Sequence, residues 1–113
     1  MSLEEYFSTG PAHERPVFEA VIGHLEVVGP VHVEPLSVGI YLKRAQTFAT
    51  LTPRERWVAL AFSLPRKVEH ALIRRKVIAE HGRYWHVANL ATPDDLDDQL
   101  REWLTEAYLT SPV

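Results

Sequence analysis

The chain contains no cysteine, which excludes a disulfide framework, a thiolate metal site and a cysteine nucleophile together. Glycine is scarce, with five in 113 residues, and none forms the glycine-rich turn that cradles phosphate in nucleotide-binding folds. No Gly-x-Ser-x-Gly elbow surrounds Ser37 or Ser63, so the usual framework of a serine hydrolase is missing too. No apolar run approaches membrane-spanning length. The first ten residues carry Glu4 and Glu5 where a secretory signal needs positive charge before an apolar stretch. A cytoplasmic location with no membrane contact is therefore expected. There is no internal repeat or low-complexity tract, and residues 1–113 read as one domain, 46% hydrophobic and 24% charged, able to bury a core.

What is present is a change of period along the chain. Phe18, Val21, Ile22, Leu25 and Val28 recur at helical spacing with Glu19 and Glu26 opposite. This predicts an amphipathic helix that starts between His13 and Pro16 and stops at Gly29-Pro30. Leu3 to Phe7 suits a short helical turn. From Val38 the rhythm becomes two, with Ile40 and Leu42 alternating with Tyr41 and Lys43, and further strands fit Gln46 to Leu51 and Trp57 to Leu64. Ile73 to Ala79 and Tyr84 to Leu90 read as a hairpin around His81-Gly82. Thr92 as cap, Pro93 at the first helical position and Asp94-Asp95 in the first turn announce a last helix. Its apolar stripe is Leu96, Leu100, Trp103, Leu104, Ala107 and Tyr108, while Asp97 and Asp98 fall on or near the solvent side. The expected fold class is α+β: an antiparallel sheet of four to five strands with an N-terminal and a C-terminal helix packed on one face.

The net charge of −3 conceals three blocks. Residues 1–42 carry one basic and six acidic side chains, 43–83 carry ten and three, and 84–113 carry one and six. The helical ends are acidic and the middle is basic. Lys43, Arg44, Arg54, Arg56, Arg66, Lys67, Arg74, Arg75, Lys76 and Arg83 either converge on an anion or are solvated and weakly paired with the acidic helices. Two helices cover one face of such a sheet, which leaves the other open. Tyr41 shares a strand face with Lys43, Trp57 shares one with Ala59 and Ala61, and Tyr84, Trp85 and His86 follow Arg83. An open face with aromatics beside positive charge can stack on a planar anion or on single-stranded nucleic acid, the latter not favoured, or can bury itself against a second copy. The rings could equally complete the core.

Candidate catalytic chemistry is sparse. His32 and Glu34 share a strand face, but two ligands do not make a metal site, and His81 and His86 lack the His-Glu-x-x-His spacing of helical zinc sites. The Asp94, Asp95, Asp97, Asp98 run lacks the glycine turn and distal glutamate of a calcium loop. His86 beside Arg83 and Tyr84 is the one neutral-pH acid/base candidate with positive charge alongside.

The order of Tyr6-Phe7, Val28-Gly29-Pro30-Val31, Phe48-Ala49, Gly82-Arg83-Tyr84 with His86, and Asp95-Leu96-Asp97 before Trp103-Leu104 and Ala107-Tyr108 resembles a small bacterial domain of unknown function, DUF5655. The resemblance covers nearly the whole chain and implies a compact α+β domain, with no activity and no catalytic residue to carry over. The architecture is also similar to small α+β domains linked to iron handling, an analogy that no motif here supports. The expected function is a noncatalytic binding or accessory module for an anionic ligand or protein partner, without cofactor or metal. Its ligand surface would use Tyr41, Lys43, Trp57, Lys76, Arg83, Tyr84 and His86. The alternatives are a homo-oligomer, a homodimer for instance, that buries the same face, and a small enzyme using His86 with Arg83 and Tyr41.

Overall fold

A computed structural model describes residues 1–112. Two helices come first, α1 (Leu3–Phe7) and α2 (Glu14–Val28), then β1 (His32–Leu36), β2 (Gly39–Lys43), β3 (Thr47–Pro53), β4 (Val58–Leu64), β5 (Ile78–Glu80) and β6 (Arg83–Leu90). A 3-10 turn (Pro93–Asp95) and α3 (Asp98–Thr110) follow. The strands form one antiparallel sheet in the order β1-β2-β3-β4-β6-β5. The α+β architecture is as the periodicity predicts, but with six strands instead of four or five. The additional strand is β1, which carries His32 and Glu34 and where Pro35 interrupts the alternating pattern; it is an edge strand, where a residue without an N–H is tolerated.

Register assigns each strand residue to a face. Ile40, Leu51, Leu60, Ala88 and their neighbours Leu42, Phe62 and Leu90 line one face and are fully buried. Above them lie α2, through Val17, Phe18, Val21 and Leu25, and α3, through Leu100, Trp103, Leu104, Ala107 and Tyr108 of the predicted stripe, whose first residue, Leu96, lies buried just before the helix. The helices meet directly where His24 Nε2 and Thr105 Oγ1 lie 2.8 Å apart. Phe48 is the extra residue where the β2-β3 register shifts after Leu42, and its ring meets that of Tyr108 edge-on at 5.5 Å. The short α1 is capped by Ser2 and fastened to the start of α2 by the Tyr6 hydroxyl, which donates to the buried Glu14 carboxylate. Burial raises the Glu14 pKa above its ordinary value.

Two expectations are corrected. The helix predicted to run on from Pro93 is broken after one 3-10 turn at Leu96, whose ψ of 79° is not helical, although Asp95 forms a capping box with Thr92 at its start. The helix restarts at Asp98, with Asp97, exposed as expected, as its N-cap, accepting the Leu100 N–H at 2.9 Å. The strand expected over Ile73 to Ala79 is reduced to a single bridge, Ile73 to Ala88, and the short β5. Between them, Arg74-Arg75-Lys76 would place charge on both faces of a ladder, one of them the core face, and the chain leaves the sheet there.

The opposite face of the sheet has no helix on it. One row crosses it through Glu34, Tyr41, Thr50, Ala61 and Val87, each directly paired with the next. Gly39 sits tight against β3: a Cβ there would lie 2.4 Å from the Leu51 carbonyl oxygen, and its φ is +157°. Gly39→Ala should therefore lower the unfolding free energy by about 1–3 kcal/mol. Gly23→Ala, on α2 with open space around it, should raise it by about 0.5–1 kcal/mol. Denaturant unfolding of the two variants checks both signs.

Candidate functional site

The segment between β4 and β5 carries the most concentrated positive charge in the molecule. Residues 67–77 surround a half-open basin of about 930 Å³, lined by the cations Lys67, Arg74, Arg75 and Lys76, the apolar Val68, Ala71, Ile73 and Val77, and the carboxylate of Glu69. That volume lies at the upper end for small-molecule sites. None of the four cations makes an ion pair among the described residues.

The basin is anchored from behind at three points. At its floor, His70 Nε2 faces Asp97 Oδ2 at 2.7 Å, while His70 Nδ1 accepts the Leu72 N–H at 3.0 Å. Both ring nitrogens are occupied, so His70 holds the loop against the α3 N-cap and offers no free base. Asp97 is held below the usual carboxylate range, chiefly by the Leu100 N–H and further by His70. At one wall, Val68 N–H donates to His86 Nε2 at 3.0 Å. Lys67 Nζ stands 5.6 Å above the Tyr84 ring. Outside the ladder, Arg74 N–H donates to the Val87 carbonyl and Asn89 N–H to that of Leu72, so the loop runs beside β6 where β5 does not reach.

The seven residues singled out in the sequence are not gathered at one place. Lys76 lines the basin, and Tyr84 and His86 stand behind it on the helix-covered side. Tyr41 and Lys43 lie on the open face, Lys43 paired with Glu34, and Trp57 shares the face of Ala59 by alternation. Arg83 is tethered: its guanidinium donates to Ser63 Oγ at 2.7 Å, to the Ser63 carbonyl at 2.8 Å and to the Thr110 carbonyl at 3.0 Å. Lys67, Arg74, Arg75 and the His70–Asp97 pair complete the basin and were not singled out as site residues. The unbroken Arg74-Arg75-Lys76 run, which fits neither helical nor strand periodicity, is the signal that marks them.

A family description, domain of unknown function (DUF5655), matches residues 3–111. The chain belongs to the DUF5655 family. Neither a curated protein nor a solved structure matches it. Membership of DUF5655 brings no chemistry with it, so the site has to be read from its own geometry. Among the described residues of this DUF5655 chain, no three histidine or carboxylate side chains are grouped so as to hold a metal ion. No helix is long and apolar enough to cross a membrane.

His86 is fully buried and its ring is stacked on Phe62 at 5.4 Å. Because Nε2 accepts the Val68 N–H, the ring is neutral with its proton on Nδ1, which has no hydrogen-bond partner among the described residues. Burial pushes its pKa below the ordinary histidine value, opposed in part by the nearby Tyr84 and Phe62 carbonyls. In the window from about pH 6.5 down to that lower folded pKa, the unfolded chain takes up a proton that the native ring refuses. The His86 contribution is therefore complete above about pH 6.5 and is lost as pH falls through the window, by up to about 1.4 kcal/mol per pH unit. Unfolding free energies of the wild type and His86→Gln, compared from about pH 8 to about pH 5, should show a shallower pH slope in the variant. Equal slopes would show that His86 titrates alike in the native and unfolded chains, so that burial does not lower its pKa.

Proposed function

We propose that the protein is a noncatalytic binding module whose ligand is anionic and whose binding site is the 67–77 basin. The observation that carries this reading is the set of four cations, Lys67, Arg74, Arg75 and Lys76, around one cavity without a compensating ion pair. Like charges crowded in this way repel, and an anion relieves that repulsion. Four of the other six cations of the basic block are engaged elsewhere, Arg66 with Glu106, Arg44 and Arg83 with carbonyls at the end of α3, and Lys43 with Glu34, while Arg54 and Arg56 lie outside the basin. A noncatalytic role fits the histidines around the basin, since His70 has both nitrogens occupied and His86 is buried behind the wall. Titration with inorganic tripolyphosphate, followed by amide chemical shifts, should move resonances of residues 67–77. Binding should weaken with salt, and Arg75→Glu combined with Lys76→Glu should reduce it at least tenfold without unfolding the protein. Shift changes confined to another surface, or full affinity in the double variant, would reject the basin.

A second reading is that the open sheet face is a homo-oligomer interface. It is favoured by the row of Tyr41, Thr50, Ala61 and Val87, small and apolar at its centre, and by Trp85 on the same face. Sedimentation at micromolar concentration should then show a dimer that Ala61→Arg disperses; a monomer across the concentration range removes this reading.

A further inference from the structure

The basin adjoins an unpaired sheet edge, and the two together point to a more specific ligand. β5 is the last strand of the sheet, and all three of its residues are exposed. It is joined to β6 by the two-residue turn His81-Gly82, with φ of 52° and 75° and closing pair Glu80–Arg83. Positive φ at both turn positions is the type I′ hairpin, whose closing pair exchanges both of its hydrogen bonds. The next pair, Ala79–Tyr84, is then the wide, unbonded one, and the N–H and C=O of Ala79 point away from β6. The outward position that precedes it, by alternation, is Val77, a wall of the basin. The free ladder edge and the uncompensated cations are thus one continuous surface, with Ile78, 53% exposed, beside it.

The opposite edge is built differently. Pro35 leaves β1 without one N–H, and α1 lies against that strand. Natural sheets blunt exposed edges in this way. The β5 edge has no proline among its three residues. Its charged neighbours, Arg74, Arg75 and Lys76, repel a second copy's identical edge, yet attract an acidic strand.

We infer that the ligand of the basin is an acidic peptide in extended conformation, which adds to the β5 edge as a seventh strand and places its carboxylates among Lys67, Arg74, Arg75 and Lys76. This rests on the anion-binding reading above and adds a backbone requirement to it. The added strand takes its main-chain hydrogen bonds from Ala79, its charge pairing from the basin, and an apolar contact from Ile78. Glu80 and Glu69 are the carboxylates close to this path, and they disfavour a ligand acidic at every position.

The test uses the full chain and three probes: a fluorescent peptide of alternating Glu and Thr, the same peptide N-methylated at alternate residues, and inorganic tripolyphosphate. The plain peptide should bind in a salt-dependent way, the N-methylated one at least tenfold more weakly. Ala79→Pro removes one outward N–H at an edge position and changes no charge. It should weaken the plain peptide at least tenfold and leave tripolyphosphate within twofold, while Lys76→Glu should weaken both. Because N-methylation leaves the protein unaltered, the result stands even if Ala79→Pro perturbs folding. Equal binding of plain and N-methylated peptides, or displacement of the peptide by an equally charged DNA oligomer at lower concentration, would overturn the strand-addition inference while tripolyphosphate binding persists. Failure of all three probes would overturn the anion-binding reading as well.

Discussion

Everything in this fold follows from two helices having to cover one face of a six-stranded sheet. α2 and α3 do so side by side, and α3 in particular must be held at a fixed position over β3 and β4. It is gripped at both ends. The Asp97 cap and His70 secure its start, and its last turn has no basic residue of its own. The sheet supplies the missing positive charge there. Arg44, which also lies over the Tyr108 ring at 4.4 Å, donates to the Tyr108 carbonyl, and Arg83 donates to that of Thr110. Cations in contact with the final carbonyls complement the negative end of the helix dipole. These two arginines are thus part of the packing scheme, and Arg66 adds a two-point contact to Glu106 on the same helix.

That use of arginine sorts the basic block into two populations. Cations that reach α3 are engaged in structure, and those of the 67–77 segment make no ion pair among the described residues. The difference arises from how the segment is anchored. It is held by backbone and ring contacts at His70, Val68 and Arg74, none of which uses the charged end of a basic side chain. The loop keeps its shape while its guanidinium and ammonium groups stay available to solvent.

Much of the fold was legible in the sequence because it rests on local rules. The helical stripe of α3, the period-two rhythm of β2 and β4, and the His81-Gly82 turn are read from a few residues each. β1 is only hinted at by His32 and Glu34, because Pro35 obscures its rhythm, and the break before α3 is hidden because Thr92 and Asp97 both suit an N-cap and only geometry shows that each caps its own turn. The site was legible only in part. The basic block of residues 43–83 contains the 67–77 segment, and Lys76, expected on a ligand surface, lines its basin. Arg83, however, looked the same as Arg75 in sequence, because its partners Ser63 and Thr110 lie 20 and 27 residues away. His86 attracted attention by type, and its burial follows from which face of β6 it occupies.

The strand order bears on how the chain reaches this state. β1 to β4 are neighbours in space as they are in sequence, so successive hairpins can zip together as they emerge from synthesis, each closing a short loop. The contact between His24 and Thr105, by contrast, spans 81 positions. A chain without α3 would leave the apolar face around Phe48, Leu60 and Phe62 roofed by α2 alone. Any species in which the meander has closed before this 13-residue helix docks would therefore expose that face to self-association.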